Sequence, residues 1–118
     1  MEEHGYRLVI TIVDQSLTPA ITDVVRRVGG QAITVVRGRG RDLFDPPNFL
    51  GMPIEREREL LYLVVDAERA SEVARAVHEA GDLDRPGKGI VMVLDLVDVL
   101  GFVPRGAEAR RSGGDPLP

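Results

Sequence analysis

The sequence predicts an α+β domain with the ferredoxin-like order βαββαβ, in which two helices cover one face of an antiparallel four-stranded sheet. Four runs of mostly branched apolar residues indicate the strands, and two segments with apolar residues at i, i+3, i+4 and i+7 indicate the helices. A long segment rich in glycine and proline separates the second strand from the third. Together these observations define the fold class.

Composition and charge are those of one soluble domain. The chain has 118 residues, 43% of them hydrophobic, which is enough to bury a core without metal ions or crosslinks. Cysteine is absent, so there is no disulfide or thiolate metal site, and we expect a cytoplasmic protein. No run approaches the roughly 18 consecutive apolar residues of a membrane span. The net charge of −4 argues against nucleic acid as the main partner.

The first half of the chain supplies a strand, a helix and a second strand. Residues 6–13 are rich in β-formers, and Thr18 is placed to cap a helix that has proline at its first position. Gly29 and Gly30 end the helix, and residues 32–36 form the second strand. The apolar stripe of this helix consists of Ile21, Val24, Val25 and Val28.

The second half repeats this order. Residues 59–65 form the third strand, Asp66 caps the second helix and Gly81 closes it. Residues 89–94 are the fourth strand, and residues 97–103 carry either a brief helical turn or a last edge strand. The stripe of the second helix consists of Ala70, Val73, Ala74 and Val77.

All four predicted strands are apolar on both sides, although two helices cover only one face of such a sheet. The uncovered face would then be buried against other copies of the chain, and we predict a homo-oligomer with closed symmetry. The domain spans residues 1–104. The tail, residues 105–118, has no apolar period and is expected to be flexible.

The long segment between the second and third strands is where function is expected, because compact domains rarely keep a structureless connection longer than about 12 to 15 residues. Three arginines alternate with two glycines at its start, namely Arg37, Gly38, Arg39, Gly40 and Arg41. An extended backbone projects the three guanidinium groups from one face, where they match phosphate or carboxylate oxygens. The alternative to this anion site is a solvated loop base that is paired with nearby acids.

A second glycine-rich turn, containing Gly87, Lys88 and Gly89, precedes the fourth strand. It is not a Walker loop, because no helix follows it. Backbone amides and a lysine in such a turn can hold an anion, but a plain reverse turn has the same sequence signature.

The rest of the long loop offers an apolar tip and a charged approach to the third strand. Residues 54–60 alternate glutamate with arginine. They could form a ladder of ion pairs along a projecting ribbon. We prefer the alternative, in which they are a solvated segment that leads into the third strand and makes only weak surface ion pairs. Four apolar residues have no place in the predicted core and are candidate anchors for a partner protein or for a neighbouring subunit: Phe44, Phe49, Leu50 and Met52.

Catalytic signatures are sparse. His4 and His78 are isolated from each other and from other ligand residues, so no metal site is predicted. No serine stands in a nucleophile elbow and no carboxylates are paired for acid/base chemistry. We therefore predict no catalytic residues and no enzyme.

Across residues 6–102, the combination of VVRGRG, a long loop, an apolar third strand and GKGIVMVLDLVDVLG resembles the P-II signalling family. The resemblance implies a homotrimer that binds adenine nucleotides in clefts between subunits. It also implies a T-loop, here about residues 38–58, that docks onto enzymes, transcription factors or membrane transporters. The matching positions are the basic residue and glycines that start the T-loop and the two glycines of the nucleotide-binding loop: Arg37, Gly38, Gly40, Gly87 and Gly89.

The chain departs from the family pattern at the phosphate clamp. Ile90 occupies the lysine position of the family's GxGK, and Gly101 and Val103 occupy the positions of two clamping arginines. Asp42 stands near the place of a glutamine that helps to bind 2-oxoglutarate, and the modified loop tyrosine is absent. The resemblance thus implies a divergent member.

Such a divergent member would need no cofactor and would respond to ADP, AMP or ATP, or to another anion. The cations in place of the clamp would be Arg37, Arg39, Arg41 and Lys88. Two alternatives remain: a ligand-independent trimeric adaptor that binds a membrane transporter or other partner constitutively, and a small enzyme in the trimer clefts. The enzyme ranks last because the chain lacks a paired general acid and base.

Overall fold

Four antiparallel strands form one sheet with the order β2-β5-β1-β6, and two helices pack on one of its faces. The structure is a computed structural model and describes residues 5–41, 43 and 48–102. In chain order the elements are β1 (Tyr6–Asp14), α1 (Thr18–Arg27), β2 (Thr34–Gly40), β3 (Asn48–Phe49), β4 (Met52–Pro53), β5 (Arg56–Asp66), α2 (Ala70–Gly81) and β6 (Gly89–Asp95). The predicted ferredoxin-like sheet with two helices is confirmed.

The period-two alternation of the strands separates a buried face of the sheet from an open one. The core side chains of β1 and β5 are the odd-numbered ones, such as Val9, Val13 and Leu61, and they lie beneath buried helix residues such as Ile21 and Val73. The even-numbered residues form the open face, which none of the described elements covers. Its apolar residues are Leu8, Ile10, Ile12, Val36, Leu60, Tyr62, Val64, Ile90, Met92 and Leu94.

Both helices begin differently from the prediction. Thr18 is the first residue of α1 instead of its cap, because a 3-10 turn precedes the helix and Asp14 accepts the capping hydrogen bond of that turn from the Ser16 amide at 3.0 Å. A 3-10 turn also precedes α2, and Asp66 makes no side-chain capping hydrogen bond. The extra turn at each helix start explains why the two predicted caps were wrong.

The strands on either side of the long loop extend farther into it than predicted. β2 starts at Thr34 and continues to Gly40, whereas β5 already starts at Arg56. Pairing runs without interruption to Gly40 opposite Arg56, so residues 37–40 and 56–59 form a projecting ribbon. The preference for a solvated strand lead-in was therefore wrong, because opposite charges face each other across the two strands and favour their pairing.

Between β6 and residue 102, where the described part of the chain stops, neither of the two predicted elements is present. Residues 97–102 are irregular, and the ring of Phe102 lies edge-on to that of Tyr6 with 5.3 Å between the ring centroids. The predicted flexible tail lies outside the described residues. No helix in the described part of the chain is long and apolar enough to cross a membrane.

Burial in the core predicts that replacing a buried leucine lowers the free energy of unfolding much more than replacing an exposed one. Leu61 is 1% exposed, so Leu61→Ala should lower the free energy of unfolding by about 2–5 kcal/mol through lost burial and the cavity left behind. Leu50 is 85% exposed, and Leu50→Ala is the matched control, with an expected change within about 0.5 kcal/mol. Urea titration of both variants measures these changes, and equal losses would contradict the assignment of the core.

Candidate functional site

The two glycine-rich segments predicted to bind an anion meet at one end of the sheet. The end of β2 pairs with the start of β5, and Arg58 of β5 lies opposite both Gly38 and Asp14. The start of β6 pairs with the same end of β1, where Gly89 lies opposite Val13. Residues far apart in sequence thus form one small surface, the loop base, made of Gly38, Gly40, Arg58 and Gly87.

Arg58 connects the two segments directly. Its Nη1 donates a hydrogen bond to the Gly87 carbonyl at 3.2 Å. A Cβ at Gly40 would lie 3.5 Å from the Arg58 Cγ, so the bare glycine leaves the arginine room to lie along the ribbon. Arg58 is therefore the cation that contacts the second glycine turn.

Sequence reasoning missed Arg58 as a site residue, because it treated the acidic and basic approach to the third strand as a solvated surface. The missing signal was whether a residue is odd-numbered or even-numbered, because this decides the face of the paired strands from which its side chain projects. Arg56 and Arg58 project from the same face as Gly38 and Gly40, whereas the predicted arginines project from the opposite face. Once the two strands are paired, alternation alone assigns these faces.

Arg37, Arg39 and Arg41 form an arginine row along one face of the ribbon. Glu55, Glu57 and Glu59 form a glutamate row beside it. Arg37 Nε contacts a Glu59 carboxylate oxygen at 3.2 Å, and Arg41 Nη2 contacts one of Glu55 at 2.8 Å. Arg39 lies opposite Glu57 but makes no ion pair with any of the described residues. The row is thus partly neutralised before any ligand is present.

The first ion pair of the row lies at the margin of the core. Glu59 is only 8% exposed, since it shares its face with Leu61, Leu63 and Val65. The Arg37 side chain, by contrast, is 74% exposed. Arg37 thus compensates a carboxylate that has lost most of its contact with water, a condition under which a missing partner is costly.

Neighbouring cations and donors stabilise the charged form of two carboxylates near the loop base. The hydrogen bond from Arg41, together with its positive charge, lowers the pKa of Glu55, and Arg39 adds to the effect. The hydroxyl and amide of Ser16 lower the pKa of Asp14, with a smaller contribution from the charge of Arg58. Both carboxylates are therefore anionic at neutral pH and compete with a ligand anion for these arginines.

The two glycines of the second turn are required for different reasons. Gly89 has φ +145°, and a Cβ there would lie 2.3 Å from the Ile12 carbonyl oxygen, so the close approach of β6 to β1 excludes a side chain. Gly87 has φ +81° with open space around it. The Lys88 amide donates to the Arg85 carbonyl at 3.2 Å, which closes the turn. Gly89 thus has a structural role, whereas Gly87 leaves its surroundings free for a ligand.

The tip of the long loop is a small hairpin in which β3 pairs with β4. Its turn residues Leu50 and Gly51 both have positive φ, 54° and 80°, which matches the twist of a two-residue hairpin loop. Phe49, Leu50 and Met52 are 67%, 85% and 68% exposed. Three of the four predicted anchors therefore face solvent together, and Phe44 lies outside the described residues.

A shallow, solvent-open recess with a volume of about 60 Å³ lies at the other end of the sheet. Its apolar lining includes Val28, Val64 and Phe102, and Gln31 and Arg69 add polar groups. Val64, the lining residue of β5 nearest to Arg58, lies six residues farther along the strand, which corresponds to about 20 Å. The recess and the loop base are therefore separate sites on one subunit.

His78 takes no part in these sites. His78 Nε2 lies 2.9 Å from an Asp84 carboxylate oxygen in the turn after α2, and His4 lies outside the described residues. Among the described residues no group of three metal-ligating side chains comes together.

Gly89→Ala should be strongly destabilising, because the new Cβ meets a backbone oxygen in a conformation that other residues rarely adopt. We expect a loss of roughly 2–4 kcal/mol in the free energy of unfolding. Gly38→Ala is the matched control: its Cβ would lie 3.5 Å from Leu60, an ordinary contact, and the change should stay below about 1 kcal/mol. Urea titration compares the two, and a larger loss at Gly38 would refute this distinction.

Arg37→Ala should destabilise the fold, since it leaves the buried Glu59 carboxylate without its cation. The expected loss is about 1–3 kcal/mol in the free energy of unfolding. Arg41→Ala should cost much less, because Glu55 can return to water. Thermal unfolding of both variants at neutral pH tests the order, which would be contradicted by equal melting temperatures.

The fold of the described residues also occurs in a solved structure of a P-II protein. No protein-family model matches the chain, and no curated protein sequence matches it significantly. Among solved structures, a crystal structure of Arabidopsis thaliana PII bound to citrate superposes with a TM-score of 0.66 and 20% sequence identity. The match covers 82% of this chain and 82% of the plant protein. The chain thus has the fold of a P-II protein, as the resemblance in sequence implied.

Proposed function

We propose that the chain is a P-II-like regulatory signalling protein. It binds an adenine nucleotide or another small anionic effector at the loop base and regulates a partner protein through the long loop, in nitrogen or carbon metabolism or in transport. The observation that carries this proposal is the junction of Gly38, Gly40, Arg58 and Gly87 at one end of the sheet. This junction joins a glycine-rich anion surface to the two strands that support the loop.

The separation of the two sites in one subunit supports binding between subunits. A nucleotide needs an apolar recess for its base and donors for its phosphates. The recess and the loop base are about 20 Å apart in one subunit, too far for one nucleotide to use both. If neighbours associate head to tail around a threefold axis, the loop base of one subunit meets the recess of the next.

The open face of the sheet supports a homotrimer. Central residues such as Ile10 and Leu60 lie on it, and Val36, Ile90 and Leu94 are 43%, 51% and 42% exposed. An apolar surface that spans four strands is larger than solvated monomers usually expose. Closed threefold packing of these faces removes them from water.

The charges at the loop base favour a nucleotide with few phosphates. Glu59 and Glu55 already pair with Arg37 and Arg41, so the cations without an ion-pair partner among the described residues are fewer than the sequence suggests. ADP or AMP therefore fits better than ATP. Arg58 and Lys88 would supply the positive charge beside the glycines, whereas Arg39 lies on the opposite face of the ribbon.

The hairpin tip supports protein binding as the output. Phe49, Leu50 and Met52 are exposed anchors at the end of a ribbon whose base carries the effector surface. Large apolar side chains are the usual centres of binding energy in protein interfaces. The partner would be an enzyme, a transcription factor or a membrane transporter, reached from the cytoplasm without membrane insertion.

One observation favours a second function. Two of the three arginines in the row already pair with glutamates of the protein itself. This pairing is compatible with a constitutive adaptor, whereas a sensor of anions has no need of it. In that case the trimer would present its three loops to a membrane transporter or other partner regardless of effector. Ligand binding distinguishes the two functions.

A thermal-shift panel with ATP, ADP, AMP, cyclic nucleotides, 2-oxoglutarate with magnesium, and bicarbonate tests the sensor. A ligand that binds only the native protein adds about 2.7 kcal/mol at a hundredfold excess over its Kd. We expect ADP or AMP to raise the melting temperature, and Arg58→Ala or Lys88→Ala to abolish the increase. Arg75→Ala, which removes an exposed arginine of α2, is the matched control and should retain it.

Sedimentation of the same protein tests the trimer. If no ligand shifts the melting temperature of a trimeric sample, the sensor is refuted and the adaptor remains. If Arg75→Ala loses the response as fully as Arg58→Ala, the effector is not bound at the loop base.

A further inference from the structure

The three positions of the arginine row differ in how readily an incoming anion can use them. At the inner end, Arg37 compensates Glu59, whose side chain is 10% exposed. An anion that bound Arg37 would leave the nearly buried carboxylate of Glu59 without a cationic partner. The free-energy cost of that unpaired charge would oppose binding. Arg37 therefore stabilises the fold and is not available to an incoming anion.

The outer end of the row is different. The side chains of Arg41 and Glu55 are each 39% exposed, and their 2.8 Å contact closes the ribbon just beyond its last paired residues, Gly40 and Arg56. Exposed ion pairs contribute little, because either partner can exchange the contact for water. This pair therefore opens at small cost.

Arg39 supplies the second anchor. It is exposed, makes no ion pair with the described residues, and lies on the same face as Arg41, about 7 Å away along the strand. Two guanidinium groups at that spacing can grip one phosphate or carboxylate from both sides. An ion held in this way can replace the Glu55 carboxylate as the partner of Arg41.

We propose that the Arg41–Glu55 ion pair is an exchangeable clasp: a dianion such as phosphate, held by Arg39 and Arg41, displaces Glu55 and opens the outer end of the ribbon, while Arg37–Glu59 stays closed. The tip hairpin β3–β4 is then no longer tied to the end of the ribbon. The use of this clasp in signalling rests on the proposed function, whereas the exchange itself requires only an anion.

The charges around the clasp set its preference. The arginine row meets three glutamates across the ribbon, and Arg56 and Arg58 lie on the opposite face. A displaced Glu55 remains near Arg39, so a monoanion gains little by replacing it. A dianion brings the additional charge that makes replacement favourable. The clasp should therefore respond to phosphate and not to chloride.

Amide hydrogen exchange of the full chain, with inorganic phosphate replacing sodium chloride at constant ionic strength and pH 7, tests the clasp. In the unmodified protein we expect phosphate to accelerate exchange about two- to fivefold at residues 40 and 56, the last paired residues of the ribbon, with no change at residues 37 and 59. Glu55→Gln should exchange at the faster rate without phosphate and should not respond further. Arg39→Gln should lose the phosphate response.

Glu57→Gln is the matched control, because it removes the same charge from the same row at a position that has no ion pair among the described residues. It should retain both the slow exchange and the phosphate response. The clasp is refuted if phosphate leaves the unmodified protein unchanged, if Glu55→Gln exchanges as slowly as the unmodified protein, or if Arg39→Gln responds fully.

The outcomes for the clasp and for the proposed function are separate. If phosphate opens the ribbon but no nucleotide shifts the melting temperature, the clasp stands and the nucleotide sensor falls. If a nucleotide raises the melting temperature and exchange at residues 40 and 56 does not change with either ligand, the sensor stands and the clasp falls.

Discussion

The continuous pairing of β2 with β5 is the constraint on which the candidate site depends. It extends the sheet beyond the core to Gly40 opposite Arg56. It also places Arg37 and Arg39 on one face of the two strands, and the two arginines of β5 on the other. One face compensates its own charge with glutamates, whereas the other carries bare glycines and the link from Arg58 to Gly87. A shorter ribbon would leave the loop without support and would separate the two glycine segments.

The sequence was sufficient for the sheet and helices but not for their ends. Periodicity identified the core residues Ile21, Val25, Val73 and Val77, since burial is repeated along each element. The helix starts depended on single local contacts, and a 3-10 turn replaced both predicted caps. The ends of β2 and β5 depended on charges facing each other across a gap in the sequence, which no local pattern reveals.

The candidate site was predictable in part for the same reason. The sequence predicted both glycine segments and the exposure of Phe49, Leu50 and Met52, because these features follow from residue type and position in the loop. Arg58 was not, because its role follows from its face in the paired ribbon and from its contact with Gly87. The neutralisation of Arg37 by Glu59 likewise required the register. Residue types indicate which chemistry is present, but pairing decides which groups are free to perform it.

The alternating faces of the ribbon also restrict how its length can change in evolution. Side chains switch faces with every residue, so a single insertion between Arg56 and Glu59 would exchange the two sets of charges beyond that point. Glutamates would then lie over the glycines, and arginines would lose their partners at the margin of the core. Insertions of two residues, matched in both strands, avoid this exchange. Related chains should therefore differ in ribbon length by even numbers of residues.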